Sequence, residues 1–173
     1  MTDYKGYVND QEMQKIIEFL RQRFTERYIE PMRVDLDKKN GFTIMAVSCL
    51  MIESLESFYQ GWGDSNSKSQ LAFCYFFDRN PNFVFIKGYS QEFYKCVRCG
   101  ILHQGETTKG WHIRRDGKVF NEKTKTINAK IFHDEVENSL SSYCDTLQGE
   151  AWNSETWKRL RKKMKAVCRN CES

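Results

Sequence analysis

The sequence predicts an all-α fold: one helical bundle, with a small β-hairpin inserted late, built as a single domain over residues 1–173. Three observations predict it. Apolar residues recur at three-and-four spacing through most of the chain, the pattern of helices with a buried face. Only two prolines, Pro31 and Pro81, interrupt the chain, which leaves room for long helices. In "WHIRRDGKVF" the period changes to alternation around Asp116-Gly117, a dipeptide suited to a tight hairpin.

The first helix is expected from Asp10 to about Ile29, with Met13, Ile16, Ile17, Leu20, Phe24 and Tyr28 on one stripe. Pro31 should stop it, and "DLDKKNG" should form a polar turn. A second helix follows from about Phe42 to Gly61, its main apolar stripe formed by Ile44, Val47, Met51, Leu55 and Phe58. The opposite face carries Ala46, Cys49, Leu50, Glu53 and Ser57, small or uncharged apart from the acid. A helix with no polar side is packed on both sides, so Glu53 sits in a partly enclosed place and needs a partner. "GWGDSNSKS" reads as a loop, "QLAFCYFF" as a short apolar helix and "DRNPN" as a break. Ser90 suits an N-cap for a helix from Gln91 to about Leu102. Beyond the hairpin, one helix is expected from about Ala129 to Leu147, anchored by Ile131, Val136, Leu140 and Tyr143. Another is expected from about Ser154 to Val167, anchored by Trp157, Leu160, Met164 and Val167.

Composition narrows the class. Apolar residues make up 40% of the chain and charged residues 29%, a balance that supports a packed core and argues against disorder. No apolar run reads as a membrane span, and the start "MTDYKGYVND" lacks a signal-peptide core, so a cytoplasmic protein is expected. Seven cysteines, an odd number, read as reduced thiols. Cys96-x-x-Cys99 and Cys168-x-x-Cys171 raise a four-cysteine zinc site. Zinc knuckles hold each pair in a tight turn, whereas Cys96 and Cys99 fall in a helical apolar pattern, which favours packing thiols and no metal or other cofactor. The net charge of +4 is unevenly spread, with seven cations from Lys109 to Lys130 and seven from Lys158 to Arg169. Such clusters suit a polyanion or a solvated helix face.

The stretch "YKCVRCGILHQGETTKGW" carries the one constellation with catalytic chemistry. Arg98 and His103 lie five residues apart at the end of a predicted helix, with Gly100 and Gly105 nearby and the basic hairpin directly after. "RCGILHQGET" on a helix in an all-α domain resembles the HEPN superfamily, whose signature is an arginine and a histidine separated by four to six residues. The helix with an internal glutamate ahead of it and the helical pair behind it fit the same resemblance, over roughly residues 42–147. The resemblance implies a metal-independent RNA endonuclease of bacterial defence or toxin–antitoxin type, working as a homodimer, with an antitoxin or nucleotidyltransferase as partner in some members. The alternative is a non-catalytic scaffold of the same fold, or an RNA- or protein-binding module. Two departures stand out. Cys99 follows the arginine where active members often carry Asn, Asp or His, and Gly105 replaces the tyrosine that a partner transferase modifies.

The chemistry suits those side chains. Cleaving RNA without a metal needs a group that exchanges a proton, and imidazole ordinarily titrates near neutrality. It also needs a fixed cation for the charge that builds on phosphate, which is the geometry of guanidinium. Positions five apart on a regular helix point about 140° from each other, so the helix deforms at Gly100 or a second copy completes the site. Arg98, His103 and Glu53 are therefore the candidate catalytic residues, and Arg114, Arg115 and Lys118 the candidate RNA-binding residues. The alternative roles are an ion pair of Arg98 with Glu53 or Glu92, and a carbonyl cap by His103. His112 reads as a surface strand residue and His133 as a helix residue without an evident partner.

Overall fold

The computed structural model describes residues 2–33 and 40–172. The chain is mainly helical, with one three-stranded sheet. Helix α1 (Thr2–Asn9) precedes α2 (Met13–Phe24), and Gln11, at φ 54°, breaks the backbone between them. The expected single start at Asp10 is thereby corrected: a short separate helix comes first. A wide π-type turn (Thr25–Ile29) leads from α2 into α3 (Glu30–Arg33). Pro31 therefore sits inside the helix rather than stopping it. The widened turn ahead of it has already shifted the backbone bonding, with Glu30 N–H reaching Thr25 C=O. Most of the expected polar turn "DLDKKNG", Asp35 to Lys39, lies outside the described residues.

Helix α4 (Gly41–Gln60) is the central element, ended by Gly61 in the left-handed conformation. Met51, Ile52 and Leu55 are fully buried, and the helix packs against α5 (Ser69–Arg79), α8 (Ala129–Gly149) and α9 (Glu155–Glu172). Such packing explains why α4 carries no polar side. It is also the one helix among the described residues long and apolar enough to cross a membrane by length and composition, a correction to the sequence reading. Two buried glutamates, Glu53 and Glu56, interrupt its apolar surface.

An aromatic cluster fills the space beside α4. Phe76 and Phe83 meet edge to face at 5.1 Å, and Phe93 stacks on Phe132 at 5.4 Å. The indole N–H of Trp157 donates to Leu147 C=O at 2.9 Å, which docks α9 on the end of α8. Both closing helices match their expected starts, but α9 continues to Glu172, so Cys168 is a buried helical residue.

The sheet differs from the expected hairpin. Strand β1 (His112–Arg114) pairs in parallel with β3 (Thr126–Asn128), and β2 (Phe120–Asn121) pairs antiparallel with β3. Asp116-Gly117 thus does not close one strand onto the next; β3 lies between them in the order β1-β3-β2. The tight reversal falls instead between β2 and β3, where Lys125 N–H bonds to Glu122 C=O. Asn128 holds the loop by donating to Gly117 C=O at 2.9 Å, while its side-chain oxygen caps the first turn of α8.

Candidate active site

The motif lies on one helical run, α6 (Ser90–Phe93), a second π-type turn (Tyr94–Arg98) and α7 (Cys99–Gln104). Ser90 is the first helical residue rather than the expected cap; its hydroxyl bonds back to Lys87 C=O at 2.6 Å. In the wide turn Cys99 N–H reaches Tyr94 C=O. That deformation ends at Arg98 and does not fall at Gly100. The helix from Arg98 to His103 stays regular, and the two side chains diverge by about 140°.

Arg98 turns inward. Its Nε donates to Glu53 Oε1 at 2.6 Å, with side-chain exposures of only 16% and 10%. The guanidinium lies 5.6 Å from the centre of the Tyr94 ring. Burial pulls the arginine pKa down, but the bond to Glu53, with Tyr94 and Cys99, outweighs it and leaves the pKa raised. The guanidinium is therefore a permanent cation. Burial, followed by the neighbouring Cys99 thiol, raises the Tyr94 pKa. Burial, followed by the Glu53 carboxylate, pushes the Cys49 thiol up as well.

Of the two carboxylates offered for Arg98, Glu53 takes it, because Glu92 is engaged elsewhere. Glu92 accepts from the Trp111 indole at 3.2 Å and from Lys125 Nζ at 2.5 Å. These bonds hold its carboxyl below the usual range, Lys125 first. The counter-charge for Arg98 thus comes from its own chain, in one of the two ion pairs that the sequence offers it.

His103 is exposed in the last turn of α7. It does not cap the helix. Gly105, at φ 71°, turns the chain, and its N–H bonds to Ile101 C=O at 3.2 Å. The return loop then lies directly on Gly100, where a Cβ would meet Glu106 O at 2.4 Å. Thr108 N–H completes the fold-back by bonding to Cys96 C=O at 3.0 Å. Glycine is needed at position 100 for this close approach rather than for looseness.

The structure brings Arg98 and Glu53 together and leaves His103 apart from both. Arg114 and Lys118 are exposed on β1 and the loop before β2, and Arg115 is half-buried. This segment packs over the start of α4, with Arg115 Cγ 3.5 Å from where a Cβ of Gly41 would lie. Gly41 is roughly 18 Å along the helix axis from Glu53.

None of the seven cysteines forms a disulfide. Cys99 turns to Arg98 and Tyr94 while Cys168 packs near Tyr4, so the two pairs serve different surroundings. Among the described residues no three His, Cys, Asp or Glu side chains gather as a metal site. In comparisons with known proteins, no family model, curated protein or solved structure matches this chain.

Two polar constellations escaped the sequence reading. Glu56 is wholly buried, and Arg79 bonds both its oxygens while its guanidinium lies 3.6 Å from the Tyr59 ring centre. A second acid on an otherwise apolar helix was the signal for it. Buried His133 meets Ser48 Oγ through Nδ1 at 2.9 Å, correcting its reading as a residue without a partner. Burial holds its pKa below the ordinary value, against the opposing pull of Asp134 and Glu137.

Proposed function

We propose that this protein is a metal-independent RNA endonuclease of the HEPN type, in which Arg98 holds phosphate and His103 exchanges protons. The observation that carries this reading is the Glu53–Arg98 pair. The carboxylate takes Arg98 through Nε, so the terminal N–H groups of the guanidinium fork are not spent on Glu53. A buried acid that fixes an arginine at the end of a helix, one and a half turns before an exposed histidine, suits a preorganised phosphate clamp. Thr107 does not compete for this role, since its hydroxyl bonds Trp111 C=O.

In the reaction the 2′-hydroxyl attacks the adjacent phosphorus while the 5′-oxygen leaves. His103 takes or gives the proton at one of these oxygens, and Arg98 neutralises the charge on the phosphate. The products are a 2′,3′-cyclic phosphate and a 5′-hydroxyl. Because Arg98 and His103 diverge, a second copy completes the site across a two-fold axis. Leu50 on α4 and Leu102 on α7, 45% and 39% exposed, offer apolar surface for that pairing on two helices that touch each other. Arg114, Arg115 and Lys118 then draw in the RNA backbone at longer range.

The test is an RNA digest with EDTA present, run with wild type and His103→Ala. Wild type should cut and the variant should not. Identical fragment patterns from the two would remove His103 from the chemistry. Salt-sensitive binding without cutting by either would point to a binding module of the same fold.

A further inference from the structure

The closing helix and the loop beside it form a second surface with its own chemistry. Between Glu155 and Glu172 the sequence holds seven cations against two glutamates. Lys162, Lys165 and Arg169 recur along one exposed face of α9, and no carboxylate in the described ion pairs engages them. Unpaired like charges on one helix face repel, so this face is kept at a cost that an anionic ligand would offset.

Two flat rings lie on a neighbouring face, about a quarter turn round α9 from these cations. The loop after α4 is pressed onto α9: a Cβ at Gly61 would meet Arg159 Cα at 3.0 Å, and one at Gly63 would meet Ala166 Cβ at 3.6 Å. Lys163 Nζ donates to Gly63 C=O at 3.1 Å and fixes the contact. Trp62, between these two glycines, contacts the Tyr75 ring at 6.4 Å, and Lys68 Nζ lies 5.5 Å from its centre. Tyr75 is 40% exposed although aromatic. Asp64 is the one carboxylate in this loop, and it faces Lys163.

From this juxtaposition we infer a binding surface for single-stranded RNA, in which α9 follows the phosphates and Trp62 and Tyr75 receive unstacked bases. Cations alone would fit any polyanion. The exposed Tyr75 ring and the half-buried Trp62 ring near them select one that presents free base faces, which a duplex does not. The preference for RNA over DNA rests on the proposed function; the surface itself does not. It lies on α9, the loop before α5 and α5 itself, on elements other than the α6–α7 run that carries Arg98 and His103.

The experiment is fluorescence anisotropy with a labelled 20-nucleotide oligouridylate, the matching DNA and an RNA duplex, all titrated with full-length His103→Ala. Wild type is titrated in parallel with EDTA and an RNA made uncleavable by 2′-O-methyl substitution. With four phosphates contacted, raising salt from 50 to 200 mM should weaken RNA binding about 50-fold. Lys162→Glu with Lys165→Glu should flatten that dependence by about half, and Tyr75→Ala should weaken binding at least about fivefold. Both variants change exposed side chains, and circular dichroism confirms that they fold. Unchanged binding in either variant, or no measurable binding by wild type, overturns the surface. Equal affinity for the duplex overturns the role of the rings, and tighter binding of DNA overturns the choice of RNA. Failure of His103→Ala to abolish cutting would overturn the catalytic reading and leave these outcomes unaffected.

Discussion

Gly100→Ala should destabilise the protein, although alanine is the better helix former. The added Cβ would lie 2.4 Å from Glu106 O and 3.4 Å from Thr107 Cα. Both neighbours are backbone, so no flexible side chain can swing aside, and the carbonyl must retreat by about 0.6 Å to reach even the closest contact Cβ atoms normally make. Overpacking of this kind costs up to about 3 kcal/mol, and removing a helical glycine returns about 1 kcal/mol. The net loss is about 1–2 kcal/mol, or roughly 2–8 °C in Tm for a chain of this size. Thermal melts followed by circular dichroism measure it, with Gly149→Ala as control because nothing lies within 4 Å of its Cβ position. A Gly100→Ala protein that melts at or above wild type would refute the close approach of the return loop.

Three further outcomes follow from the buried polar groups. Arg79→Ala should cost about 3 kcal/mol in urea denaturation, since it strands a buried carboxylate, while Glu56→Leu with Arg79→Leu should cost less than the separate losses summed; strictly additive losses would mean the pair is not coupled. Glu53→Ala should cost about 2–3 kcal/mol and Glu53→Gln less, because glutamine keeps an acceptor for Arg98 Nε; equal losses would place the energy outside that bond. His133 makes stability depend on pH. Its folded pKa is depressed, so the unfolded chain takes the extra proton first, and stability should fall as pH drops below about 6.5 toward the folded value. Arg33 opposes that proton, while Asp134 and Glu137 favour it. The slope should shrink in His133→Gln, and an unchanged slope would assign it to other groups.

Parts of this architecture are legible in the sequence for clear physical reasons. Helix α4 shows itself through an apolar surface with no polar side, and the same feature marks Glu53 as an acid that needs a partner. The partner of Arg98 is narrowed to Glu53 or Glu92 but not fixed, because the competition is settled at a distance: Trp111 and Lys125 occupy Glu92. The sheet was misread because strands of two or three residues carry too little alternation to show their pairing, and the parallel β1–β3 ladder joins distant segments. Neither π-type turn changes the apolar spacing enough to be seen, which is why Pro31 looked like a stop. His133 looked idle beside Asp134 and Glu135, since its partner Ser48 is on another helix.

The proposed cleavage through the 2′-hydroxyl by Arg98 and His103 is tested most directly on an RNA oligonucleotide whose cut position has been mapped with wild type in EDTA. A single 2′-deoxy substitution on the 5′ side of that bond should abolish cutting there and leave binding intact. The unsubstituted oligonucleotide should yield a 2′,3′-cyclic phosphate and a 5′-hydroxyl at that bond. Continued cutting at the deoxy position, or cutting that appears only when a divalent metal is added, would contradict metal-independent catalysis by this pair.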